Sequence, residues 1–426
     1  MRFATFLFSN LLILTSLHAG NLRASASKVD ITPKDSQWLM GYGARQSIKV
    51  HDPIFHRIVL LDDGAAQFVL VSSEVCVFSP VVYDEVAKEV QREFGIAPEK
   101  FWWTTTHTHS APEVGPPDVY DILLKGRSDH PWNREYLALV KAKLMEGIRE
   151  ARSKLVPTRL GVGTGMSNAN INRRAMDIDG KVSLGLNPDG PVDRQIGLIR
   201  LERQDGTPIA LIANYAMHGT VLGGKWLEIS GDGPGMVSDY VEKKLGAPVL
   251  YINGAAGNIA PIYSVNDTAR LGHLSQFGVL LGDKILAGNR NLQTADGPVQ
   301  LVARQRIIET PRRDGLGWND ALASYAATSA TGTPLVRIPV RFLRINDLIL
   351  WASPVELFCE IAMDVRGRSP FRNTFYFGYT NGWLGYLPTA QAFKDGGYEP
   401  TTSLVTPQVE EQFTTGVMTT LFEMIR

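Results

Sequence analysis

Cysteine is nearly missing from this chain: its 426 residues include two, Cys76 and Cys359. That count excludes a disulfide-dense scaffold and a metal site built mainly from thiolates. Both cysteines stand among apolar neighbours, so buried free thiols are expected. An excess of either charge is also missing, with 43 basic and 43 acidic residues. The basic footprint of a nucleic-acid partner is therefore not there, and no nucleic acid is expected. After the N-terminus no apolar run reaches the ~18 residues that a spanning helix needs. Repeats, low-complexity tracts, Gly-x-Gly-x-x-Gly, a P-loop and a Gly-x-Ser-x-Gly elbow are all lacking, which removes the main support for dinucleotide, P-loop and serine-hydrolase readings.

The first residues have a character of their own. Met1-Arg2 precedes an apolar run over 3–17, the pattern of a secretory signal peptide. A signal peptide is expected over 1–26, with cleavage after Ala19 or, at the small-x-small site Ala24-Ser25-Ala26, after Ala26. An exported protein, periplasmic or secreted, follows, and a peripheral membrane contact is compatible with it. The rest, 27–426, has no Pro/Ser-rich linker and is expected to form one catalytic-size domain.

Along that domain the hydrophobic period alternates. Residues 57–61 and 67–71 read as paired strands around Asp62-Asp63-Gly64. Residues 79–94 read as a helix opened by Ser79-Pro80, and 132–155 as a long amphipathic helix. Strands are expected at 208–213 and 248–252, and helices at 237–245 and 270–286. From 299 to 351 the pattern is mostly strand, and helical stretches follow near 356–366 and 407–425. Interleaved strands and helices indicate a mixed α/β fold, with β-sheets covered by helices.

The chemistry-bearing residues fall at strand ends. Phe101-Trp102-Trp103 leads into Thr106-His107-Thr108-His109-Ser110, and alternate residues of a strand point to one face. Two imidazoles spaced this way reach one cavity, and imidazole is the commonest ligand for metals such as zinc. His218, in Asn214-Tyr215-Ala216-Met217-His218-Gly219-Thr220, again stands where a buried strand gives way to a loop. Glu356, in Ser353-Pro354-Val355-Glu356, is placed early in a helix, where it would also suit the helix dipole. Zinc takes a carboxylate beside two histidines readily. The stretch 376–398 is rich in tyrosine and glycine, as in a loop lining a pocket. Asn253-Gly254-Ala255-Ala256-Gly257-Asn258 reads as a tight turn, or as a close backbone approach to a site.

Together these clusters resemble the neutral, non-lysosomal ceramidase family. The resemblance starts at Val29-Asp30-Ile31-Thr32-Pro33 and Met40-Gly41-Tyr42-Gly43. It continues through Thr106 to Ser110, Asn170-Ile171-Asn172-Arg173, Asn214 to Thr220 and Ser230-Gly231-Asp232, and ends in the tyrosine-rich segment. It implies one zinc ion held by His107, His218, Glu356 and Tyr386. It implies that His109 faces the substrate instead, and that Arg173 and Tyr398 contact it. The family serine of a Gly-Asp-Val-Ser-Pro run is replaced in Gly257-Asn258-Ile259-Ala260-Pro261, so a mechanism needing that hydroxyl is closed. Full-length members continue into a C-terminal β-domain that has no counterpart here, so the chemistry is implied more directly than ceramide itself.

The expected activity is zinc-dependent hydrolysis of an N-acyl bond, in a small-molecule or lipid substrate, by metal-activated water. His109 and Tyr398 are the expected catalytic donors. Rival readings keep the zinc but cleave an ester, lactone or sugar amide, or make the chain a non-catalytic binding protein. Barrel amidohydrolases also use His-x-His, but they need eight regular strand–helix units, which the strand-rich 299–351 region does not supply.

Overall fold

The computed structural model describes residues 20–263 and 271–425. The apolar run of the expected signal peptide lies outside the described residues. Three main sheets carry the molecule. The first runs in the order Phe101–Thr105, Gln67–Ser73, Phe55–Asp62, Arg23–Asp30, Val156–Pro157. The expected hairpin stands at its centre, turned by Asp62 and Asp63, whose carboxylates accept the Gly64, Ala65 and Ala66 amides. Such side-chain capture of nearby amides is what suits Asp to turns. The second sheet runs Val249–Asn253, Pro208–Tyr215, Gln195–Glu202, Arg159–Met166, and the third Leu301–Pro311, Pro334–Ile345, Leu348–Ala352, Asn373–Phe377.

One core joins all three. Val59, Leu70 and Trp102 of the first sheet, Ile212 and Ile252 of the second, and Leu343, Leu350 and Phe377 of the third form one buried apolar cluster. Each opposite face is covered by helices: Pro80–Phe94 and Arg134–Ser153 on the first sheet, Asp232–Leu245 and Asp283–Arg290 on the second, Cys359–Arg368 and Val409–Glu423 on the third. The fold is thus mixed α/β with helix-covered sheets, and the described strands form several open sheets rather than an eight-stranded barrel. No helix among the described residues is long and apolar enough to cross a membrane. Cys76 and Cys359 are both buried and unpaired.

Several expected elements shift. The strand Arg23–Asp30 crosses the expected boundary at residue 26, pairing at every position with Phe55–Asp62. The helix expected from 237 begins at Asp232, ahead of Gly233, Pro234 and Gly235. Glu356 is not in a helix: it belongs to a two-residue strand, and the helix starts at Cys359. The strands Arg159–Met166 and Asn170–Met176 are not among the expected elements: Leu160, Val162 and Met166 alternate with glycines in the first, and the second is rich in asparagine and arginine.

Candidate metal centre

The three sheets each contain one parallel pair, and these pairs point their C-terminal ends at one place. Ligand sites of open α/β sheets commonly sit outside the carboxyl ends of strands. His107 lies two residues past Phe101–Thr105, His218 three past Pro208–Tyr215, and Glu356 four past Leu348–Ala352.

His107 and His109 bring their Nε2 atoms to 3.1 Å from each other, but strand alternation is not the cause. The strand stops at Thr105, and His107 adopts the left-handed conformation, φ +61°. What holds the segment is a parallel bridge between Thr108 and Gly219, with the His109 amide donating to the Gly219 carbonyl at 2.8 Å. A Cβ on Gly219 would stand 2.6 Å from the His107 carbonyl oxygen, so the two histidine loops can meet only at glycine. Glu356 is placed by a two-residue parallel ladder in which it pairs directly with Tyr386.

The donor atoms converge. Glu356 Oε2 lies 3.4 Å from His107 Nε2 and 3.1 Å from His218 Nε2, and the Tyr386 hydroxyl is 3.5 Å from His218 Nε2. A tetrahedral zinc with ~2.0–2.1 Å bonds needs ligand atoms about 3.3 Å apart, so these separations fit. His107, His218 and Glu356 form a buried group able to hold a metal ion. His218 Nδ1 faces the Ile259 carbonyl at 3.0 Å, and His107 Nδ1 faces the Cys76 carbonyl at 3.2 Å. Such carbonyls fix the tautomer that leaves Nε2 free for a metal. Glu356 is steadied by Trp383 Nε1, donating to Oε1 at 2.9 Å, and by the Tyr379 hydroxyl, donating to Oε2 at 3.3 Å.

Electrostatics suit a cation. Burial would protonate Glu356, but His107 and His218 hold its carboxyl well below the usual range. Burial, reinforced by Arg173, pushes His218 down to about 3, leaving it neutral. At His107 burial opposes charge, but Cys76 and Glu356 outweigh it and lift the imidazole to about 10. The cluster thus favours positive charge beside Glu356. Burial pushes the Tyr386 phenol up, with Arg173 pulling the other way.

The remaining expected residues divide. His109 Nε2 is 3.1 Å from His107 Nε2, while its buried Nδ1 has no partner, unlike those of His107 and His218. Arg173 is buried, donates to the Tyr386 hydroxyl at 2.9 Å and pairs with Glu399 at 2.9 Å. Tyr398 stands one ring further out, 5.7 Å from Tyr386 between centroids, with no bond to the donor cluster. Sequence reasoning left Tyr379, Trp383, Cys76 and Glu399 without roles. Tyr379 stacks on His107 with centroids 4.2 Å apart, Cys76 Sγ lies 3.7 Å from His107 Nδ1, and Glu399 also pairs with Arg174. Tyr379 and Trp383 carried a signal, as aromatic residues in a glycine-rich loop.

Comparison with known proteins gives the chain a family and a fold. The family described as neutral/alkaline non-lysosomal ceramidase, N-terminal, matches residues 23–267. Neutral ceramidase B of Dictyostelium discoideum is 27% identical over 201 residues, covering 45% of this chain and 27% of that protein. A neutral ceramidase of Pseudomonas aeruginosa is 25% identical over 252 residues, covering 56% of this chain and 37% of that one. The chain therefore spans about a third of the length of the curated relatives it matches. In three dimensions it resembles the crystal structure of neutral ceramidase from Pseudomonas aeruginosa, with a TM-score of 0.77 at 19% identity, covering 95% of this chain and 75% of that one. A structure titled ceramidase complexed with C2 gives a TM-score of 0.78 at 18% identity, covering 95% and 76%. With the family match extending over more than half its length, the chain belongs to the neutral/alkaline non-lysosomal ceramidase family.

Proposed function

We propose that this chain is a zinc-dependent hydrolase of the N-acyl amide bond in a ceramide-like lipid, using water as the nucleophile. The observation that carries this reading is the convergence of His107 Nε2, His218 Nε2 and Glu356 Oε2, with the Tyr386 hydroxyl beside them. Zinc held there would supply Lewis acidity, lowering the pKa of a water to ~7 and polarising the scissile carbonyl. His218 is neutral and offers its Nε2 lone pair, and His107 would give up its proton on binding a cation and so offer its Nε2 as well. Arg173 places a guanidinium on the Tyr386 oxygen and so offsets part of the cost that burial sets on a phenolate there. His109 is kept neutral by burial and the adjoining imidazoles, and its ring offers one N–H to the developing oxyanion or to the leaving nitrogen. Tyr398, half-buried beside Tyr386, is a second donor towards the substrate. Each well-aimed donor of this kind is typically worth ~3 kcal/mol in the transition state. Ala260 offers no hydroxyl, which supports water rather than a side chain as the attacking group.

The relatives named above are ceramidases, and one solved structure is titled as a complex with C2; both support an N-acyl lipid as substrate. The test is turnover of N-acyl-sphingosine and of short N-acyl amines by zinc-loaded protein, before and after chelation. Release of free amine that stops with chelator and returns with zinc is expected. Zinc binding without release of amine from either substrate would overturn the reading in favour of an ester, lactone or sugar-amide hydrolase or a binding protein.

A further inference from the structure

The hairpin that carries Arg173 continues outward from the site. Its strands Asn170–Met176 and Val182–Asn187 pair antiparallel, Arg174 opposite Leu184 and Met176 opposite Val182. Near the site this hairpin is anchored. Arg174 pairs with Glu399 and donates to the Gly396 carbonyl at 2.8 Å, and a Cβ on Gly397 would stand 3.1 Å from Val182. Further out the side chains change character. Met176 is 61% exposed, Ile178 100%, Leu184 50% and Leu186 49%, four of the eleven exposed large apolar residues described, all on one eleven-residue stretch. A strand rises ~3.3 Å per residue, so Met176 stands only about 10 Å along the chain from Arg173.

We propose that this hairpin is a docking surface for a zwitterionic lipid bilayer, inserting Met176, Ile178, Leu184 and Leu186 beside the mouth of the site. Exposed clustered apolar side chains mark interaction surfaces, and this hairpin packs on Gly397, the residue before Tyr398, which stands one ring from Tyr386. A lipid leaving the bilayer there meets the hairpin before the buried centre. Charge selects the kind of surface. The tip carries Asp177, Asp179 and Lys181, all exposed, so it has no basic cluster to seek anionic headgroups. The tip is also a built turn, with Asp177 Oδ1 accepting the Asp179 and Lys181 amides. A second copy extending the sheet fits less well. Val182–Asn187 is an edge strand, but its register slips between Leu184 and Asn187, and such irregularity blunts edge pairing.

The inference rests on the N-acyl lipid reading only in placing the substrate in a membrane. The test is co-sedimentation of the full chain with phosphatidylcholine vesicles, with and without phosphatidylserine, for wild type, Ile178→Ser/Leu184→Ser and Ile307→Ser as an exposed control elsewhere. A second arm follows a short, water-soluble N-acyl amide. The hairpin double variant should lose vesicle binding by about tenfold or more, with and without phosphatidylserine alike, while the control binds as wild type and soluble turnover stays unchanged. Equal binding by the double variant, no wild-type binding to phosphatidylcholine, or binding only when phosphatidylserine is present would overturn the proposal. So would a wild-type dimer that the double variant converts to monomer by light scattering. If no N-acyl substrate is turned over, the hydrolase reading falls and the sedimentation arm still decides the surface.

Discussion

Gly257→Ala tests whether a backbone contact positions Glu356. Gly257 is not in the left-handed region, so it is not needed for its φ. It is needed for space. A Cβ there would lie 2.5 Å from the Glu356 carbonyl oxygen and 2.9 Å from that of Leu357. Both atoms are backbone, in a strand already tied to Gly257 by a 2.9 Å bond from the Gly257 amide to the Leu357 carbonyl. Ordinary contact begins at 3.4 Å, so the Glu356–Leu357 strand must retreat by about 0.9 Å. Site geometry tolerates ~0.5 Å, and a ~1 Å misplacement can cost ~10²-fold in rate. Overpacking costs about 1–3 kcal/mol of stability. Zinc affinity by chelator competition and kcat on a short N-acyl amide should both fall, the latter by ~10²-fold, in a protein that still melts cooperatively. Gly317→Ala, with nothing within 4 Å of its added Cβ, should change neither. Wild-type zinc affinity and turnover in Gly257→Ala would refute the positioning argument.

His56 is buried, with Nδ1 facing the Ser73 hydroxyl and Nε2 the Val140 carbonyl, and burial holds it down at about 4. A depressed histidine contributes stability above its unfolded pKa near 6.5 and loses it as pH falls towards 4; ~3 kcal/mol is at stake. Urea melts at pH 7, 5.5 and 4.5 should show that loss, flattened in His56→Gln, and parallel curves would count against it. At the N-terminus, cleavage after Ala26 would remove residues 23–26 from the paired strand Arg23–Asp30. We therefore propose that export, with signal cleavage, leaves a chain that begins at Gly20, and an intact mass corresponding to Ser27 in a folded chain would contradict this. Arg173→Leu removes the donor on Tyr386 and should weaken zinc affinity ~10–100-fold, with Arg173→Lys restoring part of it. Unchanged zinc affinity would show that Arg173 does not act through Tyr386.

Local chemistry was readable in the sequence, and tertiary pairing was not. The 57–71 hairpin and the helix opened by Ser79 stand where turn and cap residues put them, the Ser79 hydroxyl accepting the Val81 amide. His107, His109 and His218 do share one centre, as their positions at strand ends indicated. Their geometry comes from contacts that no local pattern encodes: the left-handed turn at His107 and the Thr108–Gly219 bridge. Glu356 shows the same limit. Its neighbours read as a helix start, yet its partner is Tyr386, thirty residues on, through a ladder too short to leave a period-2 signal. Asn170–Met176 was silent as a strand because its buried residues Asn172, Arg173 and Arg174 are satisfied by Glu399 and backbone rather than by an apolar core.

The central claim is that His107, His218, Glu356 and Tyr386 hold one zinc ion. Metal content of the purified, zinc-equilibrated and desalted chain, measured by plasma mass spectrometry beside His107→Ala and His218→Ala, tests it most directly. The account predicts one zinc per wild-type chain and a loss of stoichiometric zinc in both variants, each still folded by circular dichroism. A folded wild type without stoichiometric zinc, or variants that keep it, would contradict the account.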